Sequence, residues 1–195
     1  MGLGYAVSPT GADHLEAPHD TAFQQPGWAL NSVSALGILE PVSALDAGPK
    51  KVRLFRYAQL IWNLWDCLGM CVFVGSPTMA LSLDEMVKTV RSVTGWNTSI
   101  FELFKVSDRA MTLARLFNLR EGFSRQDDTW PERLFDPLPD GPNKGHSVTR
   151  QHLEEAKDLY YDMMGWDQKE GRPTRGTLAD LNLDWVAELE GGKKS

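Results

Sequence analysis

The hexapeptide Asp66-Cys67-Leu68-Gly69-Met70-Cys71 sets a carboxylate and a thiol at a glycine break, where an aromatic-rich stretch closes. Cys67, the only other cysteine, lies one helical turn before Cys71. A cubane iron–sulfur cluster is usually held by four thiolates, so this chain supplies at most half of such a site. A thiolate binds iron or zinc when the metal or nearby positive dipoles lower its pKa. Gly69 frees the backbone for close approach to a bulky ligand. Asp66 can accept hydrogen bonds from an amino or amide group of an organic cofactor. The structural alternative is packing, since free cysteine is among the most buried residue types and behaves as a small hydrophobe. A zinc site built on Cys67 and Cys71 lacks further ligands, because the four histidines show no matching spacing.

His14, in Gly11-Ala12-Asp13-His14, occupies a glycine-flanked loop, where binding residues are often found. An imidazole there can give or take a proton near neutral pH. The alternative is an ordinary surface histidine. His19, His146 and His152 have no context that distinguishes them.

The densest polar stretch runs from Asn118 through Arg120, Glu121, Arg125, Asp127 and Asp128 to Glu132 and Arg133. Paired carboxylates suit acid–base work or a hard cation. Arginines interleave with the acids here, so ion pairs that pin a long loop explain the pattern without catalysis. There is no phosphate-cradling glycine loop, nucleophile elbow or zinc-protease helix.

The elements that must position these groups read as mostly α. Leu54, Tyr57, Ile61, Leu64, Trp65 and Leu68 follow the i, i+3/i+4 rhythm from about residue 53, with Gly69 as the stop. Ser82-Leu83-Asp84-Glu85 is a capping box that opens a helix with Met86, Val87, Val90 and Val93 inward and Gly95 at its end. Ser99-Ile100-Phe101-Glu102 repeats the signature, and its pattern continues through Val106, Met111, Leu113 and Leu116 to Phe117. A proline-punctuated loop follows over about 118–148. The spacing of Leu153, Ala156, Leu159, Tyr160 and Met163 predicts a helix over roughly 149–164, then a turn at 171–174, a short helix from Thr177 and a last helical turn near 185–189. Residues 1–50 lack a sustained helical pattern, 51–190 form the helical domain, and the tail 191–195 is expected to be disordered.

The chain has 195 residues, enough for one domain or two small ones with a real core. Its net charge of −6 argues against a nucleic-acid-binding surface. No apolar run reaches membrane-spanning length, and the N-terminus lacks the regions of a signal peptide. Two cysteines a turn apart do not make a secreted disulfide framework, so a cytoplasmic location is expected.

The string Phe117-Asn118-Leu119-Arg120-Glu121-Gly122-Phe123-Ser124-Arg125, with Asp127-Asp128, Pro131 and Arg133, closely resembles the C-terminal region of tungsten-dependent aldehyde:ferredoxin oxidoreductases. Colinear stretches carry the same resemblance: Gly2-Leu3-Gly4-Tyr5-Ala6, Gly11 to His14, Asp66-x-x-Gly-x-Cys71, Gly141 to Gly145, Tyr160-Tyr161-Asp162, Gly165-Trp166-Asp167 and Gly171 to Thr174. It extends over essentially the whole chain.

The resemblance implies a bundle-like helical C-terminal part of a longer protein, with residues 1–50 as a cofactor-facing segment that continues from a β-rich N-terminal part. In that family a tungstopterin, or molybdopterin, and a [4Fe-4S] cluster oxidise aldehydes to carboxylic acids and pass electrons to ferredoxin. Cys71 is then implied as the distal cluster ligand, Asp66 as a pterin-binding residue with the backbone of Gly69, Met70 and Cys71 beside it, and His14 as the active-site histidine. Cys67 is treated as structural. The expected partners are the N-terminal part, ferredoxin and a small aldehyde, with no nucleic acid and no membrane. Without that N-terminal part the chain is expected to hold no cofactor and to be inactive. The alternative is a cofactor-free helical scaffold or interaction module of the same fold.

Overall fold

The computed structural model describes residues 2–75, 77 and 80–186. The α-helices that lie wholly among the described residues are α1 (Gly2–Val7), α2 (Trp28–Ser32), α3 (Pro49–Cys67), α4 (Leu83–Thr94), α5 (Ile100–Arg120), α6 (Arg150–Met164) and α7 (Arg175–Asp180). Extended pairing among the described residues is confined to two isolated bridges, Gly75 with Leu81 and Trp166 with Pro173. The mostly α reading holds. The expected disordered tail lies outside the described residues, as does most of the last helical turn expected near 185–189.

α3 is the central helix. Its Ile61, Leu64 and Trp65 are fully buried, and apolar side chains cover several of its faces. Its first turns share a core with Met111 of α5 and with Leu153, Ala156, Tyr160 and Tyr161 of α6. Its last turns pack with Leu103 of α5, Met86 and Val90 of α4, and Phe23, Val33 and Ile38 from the first fifty residues, where α1 and α2 are short helices joined by loops. α3 and α5 therefore run antiparallel. Ser107 locks their crossing: its Oγ donates to Leu60 O at 2.8 Å and accepts from Asn63 Nδ2 at 2.8 Å.

Both capping boxes form as read. Ser82 and Ser99 each accept from the backbone N–H three residues on, and Glu85 and Glu102 reach back to the N-cap N–H at 2.8 Å. Gly95 ends α4 at φ 73°. Three sequence expectations are corrected. Val93 is 80% exposed, because it lies at the edge of the apolar stripe in the last turn of α4, where the chain swings away at Gly95. α3 begins at Pro49, about four residues early, since Lys51 is buried with its ammonium 2.8 Å from Asp20. α5 continues past Phe117 to Arg120.

Candidate functional site

The last turn of α3 builds the first candidate site. Leu68 caps the helix, and Gly69 takes the left-handed conformation at φ 67°. Met70 N–H donates to Trp65 O at 2.9 Å and Gly69 N–H to Asp66 O at 2.9 Å. This pair of bonds is a Schellman ending, which satisfies carbonyls that the helix leaves free. Among the described residues a Cβ on Gly69 would meet nothing within 4 Å, so the backbone angle, not crowding, demands glycine. The chain then leaves the helix, and Cys71 caps a short 3-10 turn (Val72–Val74).

Asp66, Cys67, Gly69 and Cys71 are all exposed, and Met70 is half-buried. Burial nevertheless pushes the Asp66 carboxyl above its ordinary range. Burial, and then the neighbouring Asp66 carboxylate, push the Cys67 thiol up. Asn63 Nδ2 approaches Cys67 Sγ at 3.9 Å, so this thiol is tied to its own helix. Below the exposed turn, the indole Nε1 of Trp62 is buried with no partner among the described residues. The Trp62 ring meets Phe73, two residues beyond Cys71, edge-on at 6.4 Å.

This donor set fits one edge of a cofactor site. An exposed soft thiol follows a glycine turn, a carboxylate stands one turn back, and the buried Trp62 donor has no acceptor among the described residues. A complete metal site is absent: among the described residues no three His, Cys, Asp or Glu side chains converge.

His14 lies elsewhere. Its Nδ1 is 3.8 Å from Asp13 Oδ1, and its side chain is 62% exposed. Its ring meets that of His19 edge-on at 6.0 Å. Next along the chain, Asp20 pairs with Lys51 in the first turn of α3, and Ala17 packs in the core with Val52. His14 thus belongs to the opening end of α3 and Cys71 to its closing end. The helix between them is about 28 Å long at 1.5 Å per residue. The chain brings Asp66, Gly69, Met70 and Cys71 together and holds His14 apart from them.

The family model described as aldehyde ferredoxin oxidoreductase, domains 2 and 3, matches residues 1–183. The chain belongs to that family. It is 31% identical over 185 residues to the tungsten-containing aldehyde ferredoxin oxidoreductase of Pyrococcus abyssi, covering 94% of this chain and 28% of that protein. The enzyme of the same name from Pyrococcus furiosus is 30% identical over 93% of this chain and 27% of its own length. An aliphatic sulfonate oxidoreductase, WOR-like subunit, from Pyrococcus furiosus is 27% identical over 64% of this chain and 20% of that protein. The chain therefore spans little more than a quarter of the length of the aldehyde ferredoxin oxidoreductases it matches. A solved structure of the active site complex BamBC of benzoyl coenzyme A reductase with 1,5-dienoyl-CoA superposes with a TM-score of 0.65. It covers 100% of this chain and 32% of that one at 22% identity, a likeness of fold.

The charged string inside this aldehyde ferredoxin oxidoreductase region acts structurally, and it ties outward more than within itself. Arg125 reaches α6, with Nη2 2.6 Å from Glu154, and also contacts Asp158 and the Gln168 carbonyl. Asp128 is buried against Arg115 of α5 at 2.8 Å and accepts from the Tyr161 hydroxyl of α6. Lys157 Nζ donates to the Asp128 carbonyl at 2.8 Å, and Arg115 Nε to the Gly171 carbonyl at 2.9 Å. Burial raises the Asp128 carboxyl against the pull of Arg115, and burial with the Asp128 charge pushes the Tyr161 hydroxyl far up.

Sequence reading missed Arg115, Lys157 and Tyr161 as partners of this string. Their signal was present: Arg115 interrupts the apolar period of α5 four residues after Met111, and Lys157 follows the buried Ala156. A cation on a buried helix face needs a counter-charge, and Asp128 is the buried acid at hand.

Proposed function

We propose that the chain is the C-terminal region of an oxidoreductase that oxidises aldehydes to carboxylic acids, with ferredoxin as electron acceptor. The observation that carries this reading is Cys71, an exposed thiol set just past the Schellman turn of α3 inside a chain of this family. When bound, a tungsten- or molybdenum-bispterin with a [4Fe-4S] cluster supplies the two-electron chemistry and the path by which electrons leave. Oxidation of an aldehyde with water to a carboxylic acid releases two electrons and two protons.

This chain's residues position and tune. Cys71 offers its thiolate as one cluster ligand, with the remaining ligands on an upstream part of the longer protein. Asp66 would accept hydrogen bonds from the amino and amide groups of the pterin, with the backbone of Gly69, Met70 and Cys71 as further binding groups. His14, exposed and next to Asp13, takes a proton as the acid forms. On this reading His14 would serve the reacting carbon and Cys71 the electron exit. By itself the chain holds one ligand and is inactive. No helix among the described residues is long and apolar enough to cross a membrane.

The test is anaerobic reconstitution of the longer protein with iron and sulfide, read by EPR, for the wild type, Cys71→Ala and Cys67→Ala. Loss of the four-iron signal in Cys71→Ala alone is expected. Wild-type clusters in both variants would make the thiols packing residues and the chain a cofactor-free scaffold of this fold.

A further inference from the structure

Residues 136–146 hold a fixed shape that buries nothing. Every residue from Asp136 to His152 is exposed, Leu138 at 49%. The segment is nevertheless closed by its own backbone bonds. Leu138 N–H donates to His146 O at 3.1 Å, and Gly145 N–H donates back to Leu138 O at 2.9 Å. Inside that pair, Lys144 N–H donates to Gly141 O at 3.1 Å and His146 N–H to Asn143 O at 3.0 Å. Gly141 and Gly145 take φ 78° and 80°, and Pro137, Pro139 and Pro142 restrict the backbone further.

Rigidity of this kind gives no packing energy to the chain that carries it. Its benefit is to lower the ordering cost of binding something else. The foot of the segment shows where that something lies. Phe135 stacks on Trp130 at 5.3 Å, the Arg150 guanidinium lies 4.2 Å over Phe135, and Trp130 Nε1 donates to Gly2 O at 2.8 Å. Beside them opens a cleft of about 90 Å³, walled by Gly2, Leu3, Phe55, Trp130, Val148 and Leu153. Any upstream segment leads away from Gly2, directly at this foot.

We propose that residues 136–146 are a preorganised arm which, with the cleft at its foot, docks the upstream part of the longer polypeptide. This rests on the reading of the chain as a C-terminal region, and the occupant follows from two facts. The chain spans 28% of the Pyrococcus abyssi relative, so most of a protein of that length lies outside it. Tethering through Gly2 presents that remainder to the arm at high effective concentration. The chemistry of the arm suits a folded protein surface: one aliphatic side chain, Leu138, flanked by Asp136, Asp140 and Lys144, matches a shallow apolar socket with a polar rim.

Hydrogen exchange on the wild type tests this directly, by comparing this chain with the longer polypeptide. The Leu138–His146 amides are expected to exchange at least tenfold more slowly in the longer polypeptide. Equal exchange in both overturns the proposal. Protection that appears in this chain alone and grows with its concentration also overturns it, since the arm then binds a second copy. A second measurement uses Leu138→Asp. The melting temperature of the longer polypeptide should fall by several degrees while that of this chain stays unchanged, and equal falls in both would refute docking. The cluster signal is scored separately. Loss of the four-iron signal in Cys71→Ala without arm protection sinks the arm and spares the oxidoreductase reading, and arm protection without a cluster does the reverse.

Discussion

Arg115 in α5 and Asp128 in the following loop meet at 2.8 Å with side chains only 6% and 10% exposed. Two such charges are costly to desolvate and hold together because each has further partners: the Gly171 carbonyl for Arg115, the Tyr161 hydroxyl for Asp128. Removing one charge strands the other. Asp128→Asn is expected to cost about 3–5 kcal/mol in urea unfolding at pH 7. Arg115→Met combined with Asp128→Asn should cost less than the sum of the two single variants, by more than about 1 kcal/mol. Strict additivity would show that the two groups do not depend on one another.

Arg125 works at the rim of the same assembly, where geometry matters more than charge. Its fork spans Glu154, Asp158 and the Gln168 carbonyl, which a lysine ammonium cannot do at once. Arg125→Lys is expected to cost about 1 kcal/mol at pH 7. Burial raises the Glu154 carboxyl, but the bonds from Lys157 and Arg125 outweigh it and leave the pKa below its ordinary value of 4.5. A depressed folded pKa gives stability above 4.5 that is lost as pH falls through the folded value. The gap between wild type and Arg125→Lys should therefore narrow below pH 4.5. A gap constant from pH 7 to pH 3 (about four decades of proton activity) would remove Glu154 from the account.

Two glycines separate backbone demand from space. Gly69 and Gly165 have nearly the same φ, 67° and 68°. Beside Gly69 a Cβ would meet nothing among the described residues, whereas beside Gly165 it would collide with Thr177 Oγ1, which itself donates to the Gly165 carbonyl at 2.6 Å. Gly69→Ala should cost about 1 kcal/mol, the penalty of the left-handed backbone alone. Gly165→Ala adds overpacking and should cost about 2–4 kcal/mol. Equal costs in thermal unfolding would mean that the turn after α6 relaxes freely.

The features that the sequence displayed well are local ones. Ser82 with Glu85 and Ser99 with Glu102 place both helix starts, because a capping box is complete within four residues. Gly69 marks the end of α3 for the same reason. What escaped depends on partners distant in the chain. Lys51 reads as a solvated lysine until Asp20, 31 residues away, is brought beside it. The Arg115–Asp128 pair looks like scattered charge until α5 and α6 enclose it. At the candidate site, spacing tied Asp66 to Cys71 but left His14 floating, since nothing local says that residues 13–20 fold back onto the start of α3.

Asp66 is placed against the interest of the fold. It stands in the last turn of α3, where free carbonyls and the negative end of the helix dipole disfavour an anion. Burial also raises its carboxyl above the ordinary value of 3.8. A raised folded pKa gives stability below 3.8 that is lost as pH rises through the folded value, so at pH 7 the ionised group opposes folding. Asp66→Asn should therefore stabilise the chain at pH 7 by about 0.3–1 kcal/mol, toward the lower end because solvent screens an exposed group. The gain should vanish below pH 3.8, where the wild-type carboxyl is neutral in both states. In the longer protein the same variant should lower the bound pterin content, since an amide presents an N–H where a carboxylate accepts. A gain in stability together with a loss of pterin would mark Asp66 as kept for binding. Equal stability at pH 7, with unchanged pterin, would leave Asp66 as an ordinary surface acid.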